Sequence, residues 1–176
     1  SELAGVGVAL KMAQAVAMIL KQNPESVLKA YLDLAALGTV GDVAPLIKEN
    51  RAIVKHGLNA FATSKKIGLQ TAIKHTGYIG KAITPYYVGF VLGPRMNAVG
   101  RMDDAALSLQ LLLTKDPEEA EKIVLEMEEH NINRRTIQER ILREAEEIIS
   151  FMDIESLRVL VITKPGWDTG VVGIVA

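Results

Sequence analysis

A mainly α-helical chain is predicted by three observations. Apolar residues recur at three-and-four spacing along most of the length. Helix starts recur as a polar residue followed by a first-turn proline, at Asn23-Pro24, Thr84-Pro85 and Asp116-Pro117. The clearest run of strand character, Val159-Leu160-Val161-Ile162, lies near the C-terminal end. With 176 residues and 49% hydrophobic content, the chain can build one core, or one domain and part of another.

The elements follow in order. Residues 3–21 are apolar on nearly all sides (Leu3, Val6, Val8, Leu10, Met12, Val16, Met18, Ile19, Leu20). Lys11 and Gln14 interrupt the stretch and no basic region precedes it, so a helix buried in a larger domain is expected rather than a signal peptide or membrane span. Asn23-Pro24-Glu25 starts a second helix over 25–37, running into a turn over Gly38–Asp42. Glu49 to Phe61 reads as amphipathic, with Ile53, Val54, Leu58 and Phe61 on one face. Leu69 to His75 is a shorter helix, and Thr84-Pro85 opens another over Tyr86 to Leu92. The run Ala105 to Leu113 is predicted helical and largely buried. Asp116-Pro117-Glu118-Glu119 combines a cap, a first-turn proline and an acid placed for a capping box. The helix it starts extends to about Ser150, roughly 50 Å at 1.5 Å per residue. Its charged faces place it at a surface or between two lobes, with Glu139–Arg143 and Arg143–Glu147 able to pair across a turn. Arg158 to Thr163 is then predicted as a strand, followed by a loop over 164–170 and a buried element beginning at Val171.

Composition narrows the function classes. A net charge of −1 gives no bulk attraction to nucleic acid, so any phosphate binding must be local. The absence of cysteine excludes disulfides and thiolate metal sites and fits a cytoplasmic protein. Aromatic content of 5% leaves few surfaces for base stacking. The three histidines are isolated and lack metal-ligand spacing. The chain begins at Ser1 and stops within the apolar run Gly173-Ile174-Val175-Ala176, so an internal fragment of a longer protein is expected.

Two polar features carry the chemistry. Asp33 sits among Tyr31, Leu32, Leu34, Ala35 and Ala36, so its carboxylate is expected to face the interior. A buried carboxylate needs a partner. The candidates are a metal ion, an arginine, or backbone N–H groups of the Gly38–Asp42 turn. The second feature is Gly93-Pro94-Arg95-Met96-Asn97-Ala98-Val99-Gly100-Arg101-Met102-Asp103-Asp104. Gly and Pro at this density break helices and bring backbone close to a ligand, and arginine presents a planar fork suited to phosphate. The alternative is a capped turn between helices, with Asp103 as the cap.

Taken together, Glu2–Ala9, Tyr31–Leu46 and Gly93–Asp104 resemble the RecJ family of single-stranded-DNA-specific 5′→3′ exonucleases, within the DHH phosphoesterase superfamily. Gly166-Trp167 followed by Gly170–Ala176 resembles the start of the companion DHHA1 domain. The resemblance implies the helical half of an α/β DHH domain over 1–115, a long connecting helix over 116–150, and the first strand of DHHA1 within 151–176. It implies Mn2+ or Mg2+ as cofactor, with Asp33 completing a two-metal cluster, and single-stranded DNA as partner. It implies that Arg95, Asn97 and Arg101 hold the 5′-end phosphate or the scissile one. The Asp-His-His motif of the family does not occur here, and Asp168-Thr169 stands where the family more often has His-Pro. Most metal ligands are therefore expected outside this chain, no catalytic residue is assigned within it, and the fragment alone is expected to be inactive. The alternatives are a phosphoesterase for short oligonucleotides or small phosphoesters, and a non-enzymatic helical module that docks through the long helix.

Overall fold

The computed structural model describes residues 2–102, 106–154 and 157–176, apart from the side chains of Arg101 and Met102. Asp103 and Asp104 of the second polar feature, with the capping role suggested for Asp103, lie outside the described residues. Helices α1 (Gly5–Ile19), α2 (Pro24–Gly41), α3 (Lys48–Ala62) and α4 (Ile67–His75) are followed by a π-helical segment, Tyr87–Leu92. That segment passes directly into α5 (Gly93–Met102), and α6 (Ala106–Leu113), α7 (Pro117–Ser150) and α8 (Thr169–Val172) complete the order.

The start signals work as their chemistry requires. Asn23 Oδ1 accepts the Glu25 N–H at 2.9 Å and Asp116 Oδ1 accepts the Glu118 N–H at 2.9 Å. Thr84 Oγ1 accepts the Tyr87 N–H at 3.2 Å. Glu119 does not close a capping box; it accepts from Gln110 Nε2 at 2.6 Å and from the Thr114 hydroxyl. It is thereby spent on tying α6 to the first turn of α7.

Helix α2 runs past the predicted turn, so Gly38 and Gly41 are helical. The reason is packing. A Cβ on Gly38 would lie 2.9 Å from Val6 Cγ1, so the glycine lets α1 press against α2. On the next face, a Cβ on Gly57 of α3 would lie 2.5 Å from the Leu32 carbonyl oxygen. Helix α2 ends in a Schellman motif, with Ala44 N–H on Thr39 O at 3.2 Å and Val43 N–H on Val40 O at 3.0 Å.

The main core joins Leu37, Val54, Phe61, Leu69, Tyr87, Leu92, Val99, Leu111 and Met127 across α2 to α7. Tyr87 is fully enclosed; burial pushes its hydroxyl pKa up, against the opposing hydrogen bond with Thr76. A smaller cluster of Leu10, Ala35 and Ile53 fixes α1 on α2 and α3. Helix α1 is less enclosed than its composition predicts. Leu10 and Ala17 are buried, while Met12, Val16, Ile19 and Leu20 are exposed, because α1 meets neighbours on one side only. The same holds for α6, where Leu111 is buried and Leu109 and Leu113 are exposed.

The predicted strand is absent: residues 157–163 form no ladder, and the described residues contain no strand. A strand exists through pairing, and among the described residues no second segment pairs with it. Alternate side chains of the segment nonetheless face opposite ways. Leu160 and Ile162 line a groove of ≈ 390 Å³ against Ile141, Ala145 and Trp167, while Val159 and Val161 are 75% and 77% exposed. The buried element predicted from Val171 is α8, capped by Asp168, with Val171 itself fully enclosed. Along α7, Arg143 donates to the Glu139 main-chain carbonyl at 3.4 Å rather than pairing with either glutamate side chain.

Candidate functional site

Asp33 is placed by the inner face of α2, beside Ala36 and Leu37, and is only 4% exposed. Its partner is neither the α2 C-terminal turn nor an arginine. Lys66 Nζ lies 2.8 Å from Oδ1 and 2.7 Å from Oδ2, and Ser64 Oγ donates to Oδ2 at 2.7 Å. The Leu34 N–H completes the set on Oδ1 at 2.8 Å. Both donors of the 63–66 connection are locally ordered, since Ser64 Oγ also accepts the Lys66 N–H at 3.2 Å. Lys66 continues to the Ala30 carbonyl at 2.7 Å and lies 5.9 Å over the Tyr31 ring. Its side chain is 25% exposed against 6% for that of Asp33. Stripping one partner from a buried ion pair costs about 3–5 kcal/mol, so a cation at this carboxylate is a structural necessity.

The Arg95 region is helical instead of a broken turn. Pro94 cannot donate an N–H, and its ring crowds the carbonyl four residues back. The chain answers by widening the preceding turns, so that the Gly93 N–H bonds to Val88 O, five residues back. A Cβ on Gly93 would sit 2.8 Å from that oxygen, which is why glycine is needed there. Arg95 Nη1 donates to the Val91 carbonyl at 2.6 Å, within the same widened stretch. The rest of its fork grips Glu128 on α7, with Nε at 2.5 Å from Oε2 and Nη2 at 3.3 Å from Oε1. Asn97 is exposed, and residues two apart on a helix do not share a face. Asn97 therefore turns away from the Arg95–Glu128 contact, while position 101, four residues on, shares its side of α5. The Arg101 side chain itself lies outside the described residues.

The expected site residues thus fall into separate places. Asp33 is held at the α2–α4 junction, Arg95 at the α5–α7 contact, and Asn97 on an open face of α5. Lys66, Ser64 and Glu128 were not legible as functional neighbours. Lys66 follows Asp33 by 33 residues and Glu128 follows Arg95 by 33, and nothing local marks either pairing. Among the described residues no group of three or more His, Cys, Asp or Glu side chains is placed to hold a metal ion. No described helix is long and apolar enough to cross a membrane.

A metal would meet one suitable group here. The Lys66 ammonium already stands as a monovalent cation against both Asp33 oxygens, so the carboxylate is shaped to face positive charge. Carboxylate oxygen suits Mg2+ and Mn2+, but such ions take several ligands. Asp33 fits as one ligand of a site whose other ligands come from elsewhere.

No family model matches the chain. It is 41% identical over 176 residues to the single-stranded-DNA-specific exonuclease RecJ of Bacillus subtilis, covering 99% of this chain and 21% of that protein. Its fold matches the manganese complex of RecJ from Thermus thermophilus with a TM-score of 0.85 and 37% identity, over 97% of this chain and 25% of the other. A second exonuclease RecJ structure bound to manganese matches with a TM-score of 0.82 and 39% identity, over 97% of this chain and 42% of the other. The chain spans about a fifth to a third of the length of the curated relatives it matches.

Proposed function

Because this chain is a homologue of RecJ over nearly all of its length, we propose that it is part of a metal-dependent exonuclease that degrades single-stranded DNA from the 5′ end. The observation that carries the reading is the joint match of sequence and fold to RecJ structures that contain manganese or magnesium. In this reading residues 1–115 belong to a DHH catalytic lobe, α7 connects it to a DHHA1 domain, and 151–176 begin that domain. The Val159–Ile162 segment becomes a strand when the rest of that domain supplies its partner. The exposed apolar side of α1, with Met12, Val16 and Ile19, faces the preceding half of the lobe. A cytoplasmic setting follows from a role in DNA repair and recombination.

The residues divide the work as follows. Asp33 contributes one carboxylate to the metal site, and the remaining ligands lie outside this chain. When bound, divalent ions supply an activated water and neutralise charge on the leaving oxygen. Asn97, exposed on α5, and Arg101 hold strand phosphate oxygens and fix the strand for in-line attack. Arg95 reaches a phosphate only by releasing Glu128; while it grips Glu128 it orients α5 on α7.

The test uses the full-length protein with Mn2+ on end-labelled DNA. Release of mononucleotides from the 5′ end of a long single strand, with duplex spared, is expected, and Asp33→Ala abolishes it; because the variant also loses the Lys66 ion pair, its circular dichroism and melting curve are compared with the wild type to show that it is still folded. Preference for a dinucleotide over the long strand would assign the protein to small phosphoesters instead. Activity unchanged by Asp33→Ala would remove Asp33 from the metal site.

A further inference from the structure

The geometry points to Tyr86 and Phe90 as a stacking platform for the bases of single-stranded DNA, with the Lys81 ammonium close by for a phosphate. This rests on the proposal that the protein degrades single strands, and adds residues that let it tell an unpaired strand from a duplex.

The two rings stand out among the exposed side chains. Tyr86 is 64% and Phe90 71% exposed, yet they stack on each other with centroids 5.0 Å apart and planes 26° from parallel. Residues four apart share one side of a helix, so the backbone at the π-helical segment sets the pair. That backbone is held from behind. Tyr87, Val88 and Leu92 are buried, and Tyr87 is fixed by the Thr76 hydroxyl at 2.8 Å and by the Tyr78 ring at 4.1 Å. The rings are therefore carried on a rigid element, and a base that lands on them has little left to order. Along the continuous helical run from Tyr86 to Gly100, the exposed positions are Tyr86, Phe90, Asn97 and Gly100. Asn97 follows Phe90 by seven residues. That is roughly 10 Å along the axis, the length of about three stacked nucleotides.

Charge selects the occupant. The net charge of −1 hides a segregation: residues 50–102 contain no aspartate or glutamate but eight lysines and arginines, whereas α7 carries ten glutamates against five lysines and arginines. Lys81 is exposed, makes no ion pair among the described residues, and lies 5.0 Å over the Tyr78 ring. Exposed rings within an acid-free, basic stretch suit a polyanion that also offers flat apolar faces. Unpaired nucleic acid does both; in a duplex the base faces are already stacked on one another. Every base has such a face, so the contact is indifferent to sequence.

The test measures binding of the full-length protein to a fluorescent single strand by anisotropy, in EDTA so that nothing is cleaved. Tyr86→Leu and Phe90→Leu keep an apolar side chain and remove the ring. Each is expected to weaken binding about tenfold, whereas Phe90→Tyr keeps a ring and stays near wild type. A strand carrying abasic residues binds the wild type more weakly, and the leucine variants no longer distinguish it from an ordinary strand. Each protein is compared with itself on the two strands, so a loss of folded protein cancels. Lys81→Gln weakens both strands alike and flattens the dependence of log affinity on log salt by about 0.7; an unchanged slope removes Lys81 from the surface. Leucine variants that bind the ordinary strand like wild type, or that lose both strands in equal measure, overturn the platform. So does a lowered melting temperature with unchanged affinity, which makes the pair an internal contact of the whole protein. If the wild type neither binds nor degrades single strands, the underlying reading fails instead.

Discussion

At the scale of single residues, the two conspicuous polar positions are both engaged by partners that sit far away in sequence. Arg95 shows what this means for mutation. Its fork is divided between Glu128 and the Val91 carbonyl, with both charged side chains about three-quarters enclosed. Arg95→Ala is expected to lower stability by about 1–2 kcal/mol, since a bidentate, partly enclosed pair exceeds the usual surface value. Asn97→Ala, on an exposed face, is expected to leave stability within about 0.5 kcal/mol. Denaturant melts of the two variants, set beside their affinity for a 5′-phosphorylated strand, separate the roles. A stable Arg95→Ala protein that loses strand binding would make the arginine a phosphate ligand rather than a clasp between α5 and α7.

Among the elements, helix ends are the most informative. Helices α1, α2 and α4 all close with the same paired backbone bonds, at Lys21, Val43 and Gly77 respectively. All three of these residues have positive φ. Glycine adopts this conformation freely, whereas lysine and above all β-branched valine do not. Val43, at φ 54° and 88% exposed, holds the strained position without any packing to compensate. Val43→Gly is therefore expected to stabilise the protein by about 1 kcal/mol, read as a higher denaturation midpoint with an unchanged slope. A lower midpoint would show that the valine is held by contacts outside the described residues.

For the molecule as a whole, α7 is the spine. Its first half closes the main core through Ala120, Ile123, Val124 and Met127, and its second half carries the 157–176 segment through Ile141 and Ala145. That second contact is fastened by Glu144, which accepts from Trp167 Nε1 at 2.8 Å and pairs with Lys164 at 3.1 Å. The Trp167 hydrogen bond, followed by the contact with Lys164, holds the Glu144 carboxyl below its ordinary range. Its contribution is present above the ordinary glutamate pKa and is lost as pH falls through the lowered value. Trp167 is the single tryptophan, so its emission reports this directly. Acidification from about pH 7 to about pH 3 should shift the emission, and Glu144→Gln should flatten the profile. An unchanged wild-type spectrum over that range would show that the carboxylate does not fasten the segment.

Helix identity was written locally. Caps, first-turn prolines and apolar spacing are properties of neighbouring residues, so α2, α3, α4 and α7 could be placed from composition and order alone, as could the inward-facing Asp33. Tertiary contact decided the rest. Whether Gly38 bends the chain or lets Val6 approach depends on α1 lying there, and whether Val159–Ile162 is a strand depends on a partner to share its hydrogen bonds. The cation at Asp33 is a lysine and the acceptor at Arg95 a glutamate because folding brings α4 and α7 to them. Long-range electrostatic pairing leaves no periodic trace in a sequence; it is selected only when desolvation makes an unpaired charge too costly to bury.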